Sequence, residues 1–348
     1  KQDLGFDIKL LNNHLSIVSD LFKEHRTGIL LKRTESIPSF IGNNMSDPYG
    51  NVVVVDNKGF DGTIEYNKQI GKDWALSVRG NITFNEDEWV DSDQPSQRYP
   101  WMSQDGQNIL AAKGYIAEGL YTQSEIDDIN RWKSLSEADQ KVTPRPFPDQ
   151  NADVQAGDIK YKDMNGDGVI DAYDQTYIGR GDVPKIVYGF GFNLSYKDLS
   201  LGVLFQGVGD ADRILSGSSI WPFQGNGGTG NLFSNIDDRW TEENPSQDVF
   251  YPRLAFGSDK DGNINNFVTS TWWKKDMSFL RLKTLQISYN LPKKWINKLY
   301  MKNAAVYMMG NNLFTISKFK LWDPELSTDN GTQYPNTSTY SIGVNFTF

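Results

Sequence analysis

The sequence predicts an all-β chain supplying about nine strands of a large antiparallel transmembrane barrel. Three observations lead there. Residues 340–348 place Tyr340, Ile342, Val344, Phe346 and Phe348 in one phase and Ser341, Gly343, Asn345 and Thr347 in the other. Successive strand side chains face opposite sides, so this segment has an oily stripe backed by a wet one. Second, the polar phase of the 186–206 hairpin is largely small and neutral, with Gly189, Gly191, Asn193, Ser195, Ser200, Gly202 and Gln206. A soluble sandwich usually charges its outer face, whereas a water-filled lumen suits Gly, Asn, Ser and Gln. Third, the connections alternate strictly between short and long, as in outer-membrane barrels with tight turns on one side and large loops on the other.

The elements follow in chain order. Segments 3–11 and 15–31 read as weakly alternating strands joined by a turn at 12–13. Segments 60–70 and 74–85 form a hairpin over Gly71-Lys-Asp73, with Phe60, Ile64, Tyr66 and Ile70 in phase with Trp74, Leu76, Val78, Ile82 and Phe84. A second hairpin joins 186–196 to 199–206 across Lys197-Asp198, its apolar phase led by Tyr188. In 280–291 the apolar phase slips near Thr284, which predicts a β-bulge. Segment 304–313 and the final strand complete the set, with a short connection at 292–303. The long loops fall at about 34–58, 86–184, 208–278 and 314–338 of a single unit covering 1–348.

Composition narrows the function. Hydrophobic residues are 38% of the 348 and aromatics 13%, with 31 Gly, and the mean hydropathy is -0.54. The longest aliphatic run, Val52 to Val55, is far short of the roughly 20 apolar residues of a spanning helix, so any membrane span is β. With no Cys there is neither a disulfide framework nor a thiolate site. A net charge of -9 without clustered Lys and Arg argues against nucleic acid.

Within the longest loop, Asp163-Met-Asn-Gly-Asp-Gly-Val-Ile-Asp-Ala-Tyr-Asp174 fits a twelve-residue calcium loop. Asp163, Asn165, Asp167, Asp171 and Asp174 offer side-chain oxygens and Val169 its carbonyl, while Gly168 allows the sharp turn. The expected ion is structural, since no amphipathic helix flanks the loop. Position 12 is Asp rather than Glu, which shortens its reach. The bland alternative is a run of Asx and Gly turns. Trp101, Trp221, Phe223 and Tyr251 are candidate stacking platforms for substrate, with Trp272, Trp273 and Trp322 in similar settings. The competing reading for each is interface anchoring or loop packing.

No catalytic constellation stands out. The two His, His14 and His25, are read as surface residues. Asp237-Asp238 and Glu242-Glu243 read as solvated turns rather than a glycosidase pair. Gly207-Val-Gly209 and 226–230 are read as flexible loop. The readings that compete with a transporter are a secreted calcium-containing β-sandwich adhesin or carbohydrate-binding module and a surface glycosidase.

Several motifs in order resemble the SusC-like (SusC/RagA) family of TonB-dependent outer-membrane transporters of Bacteroidetes. They are Gly157-Asp-Ile-Lys-Tyr-Lys-Asp-Met-Asn-Gly-Asp-Gly-Val-Ile-Asp171, Ile178-Gly179, Pro184, Tyr188-Gly189 and Phe205-Gln-Gly-Val-Gly209. Further on come Phe279-Leu-Arg-Leu-Lys-Thr-Leu285, Tyr289-Asn-Leu-Pro292, Gly310-Asn-Asn-Leu-Phe314, Asp323-Pro-Glu325 and Tyr334-Pro335. The resemblance implies the carboxy-terminal part of a 22-stranded barrel in the outer membrane, with the plug and earlier strands absent from this chain. It implies no enzymatic activity, but import of an oligomeric nutrient, a glycan or alternatively a peptide. The implied partners are a SusD-like lipoprotein, the TonB complex acting through the absent plug, the remainder of the barrel and outer-membrane lipid.

Overall fold

The structure, a computed structural model, describes residues 1–33, 36, 47–150, 152–223, 232–256, 264–296 and 301–348. A 9-stranded antiparallel sheet forms its wall. The strands are β1 (Gln2–Leu10), β2 (Leu15–Lys32), β3 (Tyr49–Ile70), β4 (Trp74–Asp91), β5 (Ile186–Tyr196), β6 (Leu199–Gly209), β7 (Phe279–Asn290), β8 (Asn303–Ser317) and β9 (Thr339–Thr347). Spatial order equals chain order, an up-and-down meander without crossovers.

The register turns the local alternation into two continuous faces. Ile70, Trp74, Tyr196, Leu199, Tyr289, Val306 and Val344 are successive cross-strand partners, and so are Leu76, Leu194, Leu201, Ile287, Met308 and Ile342. Directly opposite cross-strand residues share a face. The next row, Ser77, Asn193, Gly202, Gln286, Met309 and Ser341, lies on the other side and is mostly polar. Ile342 is 78% exposed and Phe190 45%. Apolar side chains turned outward and amides turned inward are the division that hydrocarbon on one side and water on the other require.

The bulge lies at Lys283: β7 pairs through Leu282 and then Thr284 on both of its neighbours. Gly207 and Gly209, expected in a flexible loop, lie inside β6, and the ring of Tyr188 occupies the space a Gly207 side chain would take. The stretch 226–230 lies outside the described residues.

Two loop boundaries also need correction. β3 starts at Tyr49, so the part of the expected loop 34–58 from Tyr49 onward is strand, and β4 runs to Asp91. With 22 residues β3 is about twice the roughly 9–11 needed to span. Its first half extends past the apolar band, so nothing there imposes alternation. Val53 and Val55 are buried instead, and polar pairs such as Lys58 with Glu86 (3.3 Å) and His25 with Asp56 lie nearby. His14 bonds the Asn67 carbonyl at 2.8 Å.

Candidate functional site

Two features hold the chemistry, the polar face of the wall and the cap built on it by the long loops. A depression of about 360 Å³ in the wall is lined on its polar side by Ser77, Arg79, Asn81, Asn193, Thr284 and Gln286. Period-2 alternation presents these hydrogen-bonding groups side by side. Arg281 lies in the adjoining polar row, opposite Gln206. It is 1% exposed and clamps residues 318–338 to the wall through Asp323 and through Glu325 at 2.9 Å.

The cap has a core of its own, shared between loops. Leu120, Tyr121, Ile126, Ile129, Ile159 and Tyr161 pack with Trp240 from the following loop. Trp240 fits because residue 157 is Gly: a Cβ there would sit 2.3 Å from the indole, and the backbone has φ +85°. A second core joins Leu215, Ile220, Trp221, Tyr251 and Trp273 to Phe319. Between the loops, Arg253 donates to both carboxylate oxygens of Asp158 at 2.8 and 3.1 Å, and Asn266 adds a bond of 2.9 Å. Gln247 spans the same junction, accepting from the Leu120 amide (2.7 Å) and donating to its carbonyl (3.0 Å).

The longest loop also contains helices that the all-β reading omitted, α1 (Gln123–Lys133) and α2 (Glu137–Val142). Their signal was present. Thr122 and Glu125 form a reciprocal capping box and Ser136 caps α2, satisfying amides that have no partner within the helix.

The substrate aromatics divide. Tyr251 is fully buried and Trp221 is 9% exposed, both inside the second core, which corrects their reading as platforms. Trp272 and Trp322 pack against that core, and Trp273 belongs to it. Burial also pushes the Tyr251 phenol up to about 12, with Asp238 adding to the shift. Phe223 is half-buried against Phe256, ring centroids 4.6 Å apart. Trp101 stays part-exposed, stacked on Tyr99 at 4.6 Å with its indole N–H donating to the Tyr173 carbonyl at 2.8 Å.

The acidic loop lies between short strands Ile159–Tyr161 and Thr176–Ile178. Its Ile170 plugs into the first core, and its Gly168 carbonyl accepts from Asp149. Asp163 accepts from the amides of Gly166 (2.6 Å) and Gly168 (2.8 Å), and Asp167 from that of Val169 (3.0 Å). Asp174, fully buried, reaches back to the amides of Met164 and Asp171. Burial raises its carboxyl above the ordinary range against those hydrogen bonds, with Asp163 adding repulsion. The donors match calcium in type, but the carboxylates are turned to backbone amides. Among the described residues no three His, Cys, Asp or Glu side chains converge as a metal site.

No protein-family model matches the chain. A TonB-dependent receptor of Formosa agariphila is 32% identical over 250 residues, covering 67% of this chain and 23% of the relative. The TonB-dependent receptor SusC of Bacteroides thetaiotaomicron is 22% identical over 358 residues, covering 99% of the chain and 31% of the relative. Among solved structures, the RagAB peptide importer in its closed-closed state superposes with TM-score 0.70 at 22% identity, over 99% of this chain and 35% of that one. The chain thus spans between about a quarter and a third of the length of these proteins.

Proposed function

The chain belongs to the SusC-like TonB-dependent outer-membrane transporters as a part of the barrel, and from that membership we propose that the whole protein actively imports an oligosaccharide. The observation that carries this reading is the polar face, where amides and hydroxyls from neighbouring strands meet at the wall depression. Such groups exchange hydrogen bonds with sugar hydroxyls at little desolvation cost. In the same reading a SusD-like lipoprotein delivers substrate to the cap, and TonB supplies energy through a plug region outside these residues. In this reading the chain acts by binding and passage rather than by catalysis, in keeping with relatives that are TonB-dependent receptors.

Peptide is the second reading, favoured by the superposition on a peptide importer. Deleting the gene and growing the strain on defined glycans and on peptides separates the two. Loss of growth on a glycan supports the first reading, and loss on peptides alone overturns it.

We further propose that residues 163–174 bind one structural calcium ion through Asp163, Asn165, Asp167, Val169, Asp171 and Asp174. Support comes from the loop's ligand spacing and from its anchored ends. An extracellular module needs only a dissociation constant of about 10⁻⁴ to 10⁻³ M. Chelation is expected to raise amide exchange throughout 163–174, and Asp167→Ala to produce the same exchange with calcium present while leaving barrel assembly intact. Exchange that ignores calcium in the unaltered protein would count against the site.

A further inference from the structure

A pocket of about 410 Å³ opens in the cap where residues 233–250 meet the short strand Lys274–Asp276 and residues 318–321. Phe233, Phe250 and Phe319 supply apolar walls, while three cations, Lys275, Lys318 and Lys320, meet two acids, Asp238 and Asp276. The charges are not all paired. Lys318 and Asp276 lie 3.6 Å apart and answer one another. Lys275 Nζ stands 4.6 Å above the centre of the Phe250 ring. Among the described residues it makes no ion pair or side-chain hydrogen bond. Burial pushes its ammonium down to about 8, with Asp238 pulling it back. In the same lining, the side-chain oxygen of Asn235 is buried and accepts no hydrogen bond. A half-buried cation, an orphaned acceptor and aromatic walls in one concavity are the marks of a site whose complement comes from a ligand.

We propose that this pocket holds an acidic sugar unit of the transported glycan, its carboxylate on Lys275 and its hydroxyls on Asn235 and Asp238. The proposal rests on the glycan-import reading above and deepens it. The carboxylate answers the desolvated ammonium and hydroxyl donors answer the acceptors, while the apolar face of a sugar ring lies against phenyl rings. Lys320, exposed at the rim, adds attraction to an anion without being buried by it.

The test uses the full-length transporter purified in detergent and titrated calorimetrically with a glucuronate-bearing tetrasaccharide and with the same glycan after carboxyl reduction. The acidic form is expected to bind about 10-fold or more tightly, the scale of a charge-assisted hydrogen bond. Lys275→Met should abolish that preference without weakening the reduced form. Lys320→Glu, a surface change unable to disturb the core, should diminish it. The preference surviving Lys275→Met would overturn the proposal, as would equal, Lys275-dependent binding of an acidic peptide. Equal binding of both glycan forms would overturn the pocket alone. Binding of peptides with no affinity for either glycan would overturn the import reading beneath it.

Discussion

Arg253→Ala is expected to unfasten the cap at a cost of about 3–5 kcal/mol, the scale for removing one partner of a buried ion pair. Asp158 is 2% exposed, so without the guanidinium its charge has neither water nor a counter-ion. Its remaining bonds, from Asn266 at 2.9 Å and from the Gln155 amide at 2.8 Å, are too few to solvate a carboxylate there. The check is surface proteolysis of intact cells: residues 92–185 and 210–278 should become cleavable while the barrel keeps its heat-modifiable migration on gels. Asp158→Asn combined with Arg253→Met should recover much of the resistance, because it removes the stranded charge. A single variant as resistant as the parent would show that the pair does not fasten these loops.

Ile342→Arg is expected to impair assembly by about 2–4 kcal/mol if it lies near the bilayer midplane, since a guanidinium would replace an apolar group facing hydrocarbon. Ser341→Arg, one residue earlier and on the polar face beside Met309, should be tolerated. Outer-membrane abundance and heat-modifiable migration read both. Equal behaviour of the pair would mean that the two faces of β9 are not chemically distinct.

These predictions differ in how far the sequence announces them. The phase of Ile342 is legible because hydrocarbon forces every second residue to be apolar, and the same rule exposes the slip at Thr284. Where the wall leaves the membrane that rule lapses. Val52 to Val55 runs unbroken at the start of β3, and the strand there goes unread. The Asp158–Arg253 pair has no local signal at all, since its members are brought together only by the packing of one loop on another. The aromatics show the same limit. A loop tryptophan serves equally well as a sugar platform or as core, and only the meeting of Trp221 with Tyr251, Trp273 and Phe319 decides it. Both ends of the Arg281 clamp lie in motifs legible in the sequence, Phe279-Leu-Arg-Leu-Lys-Thr-Leu285 and Asp323-Pro-Glu325, but their pairing across more than 40 positions is not.

The shared cores of the cap also impose an order on how the molecule matures. Trp240 seats on Gly157, yet the whole β5–β6 hairpin lies between them in the chain. Each core takes its last buried member from a neighbouring loop, Trp240 in the first and Phe319 in the second, and the strands that bring the loops together must first find their register. Each core therefore stays open at one side until the wall beneath has formed. Closing so long a loop is entropically slow, so completion of the cap is expected to follow the wall, and a chain with a complete wall can still be immature.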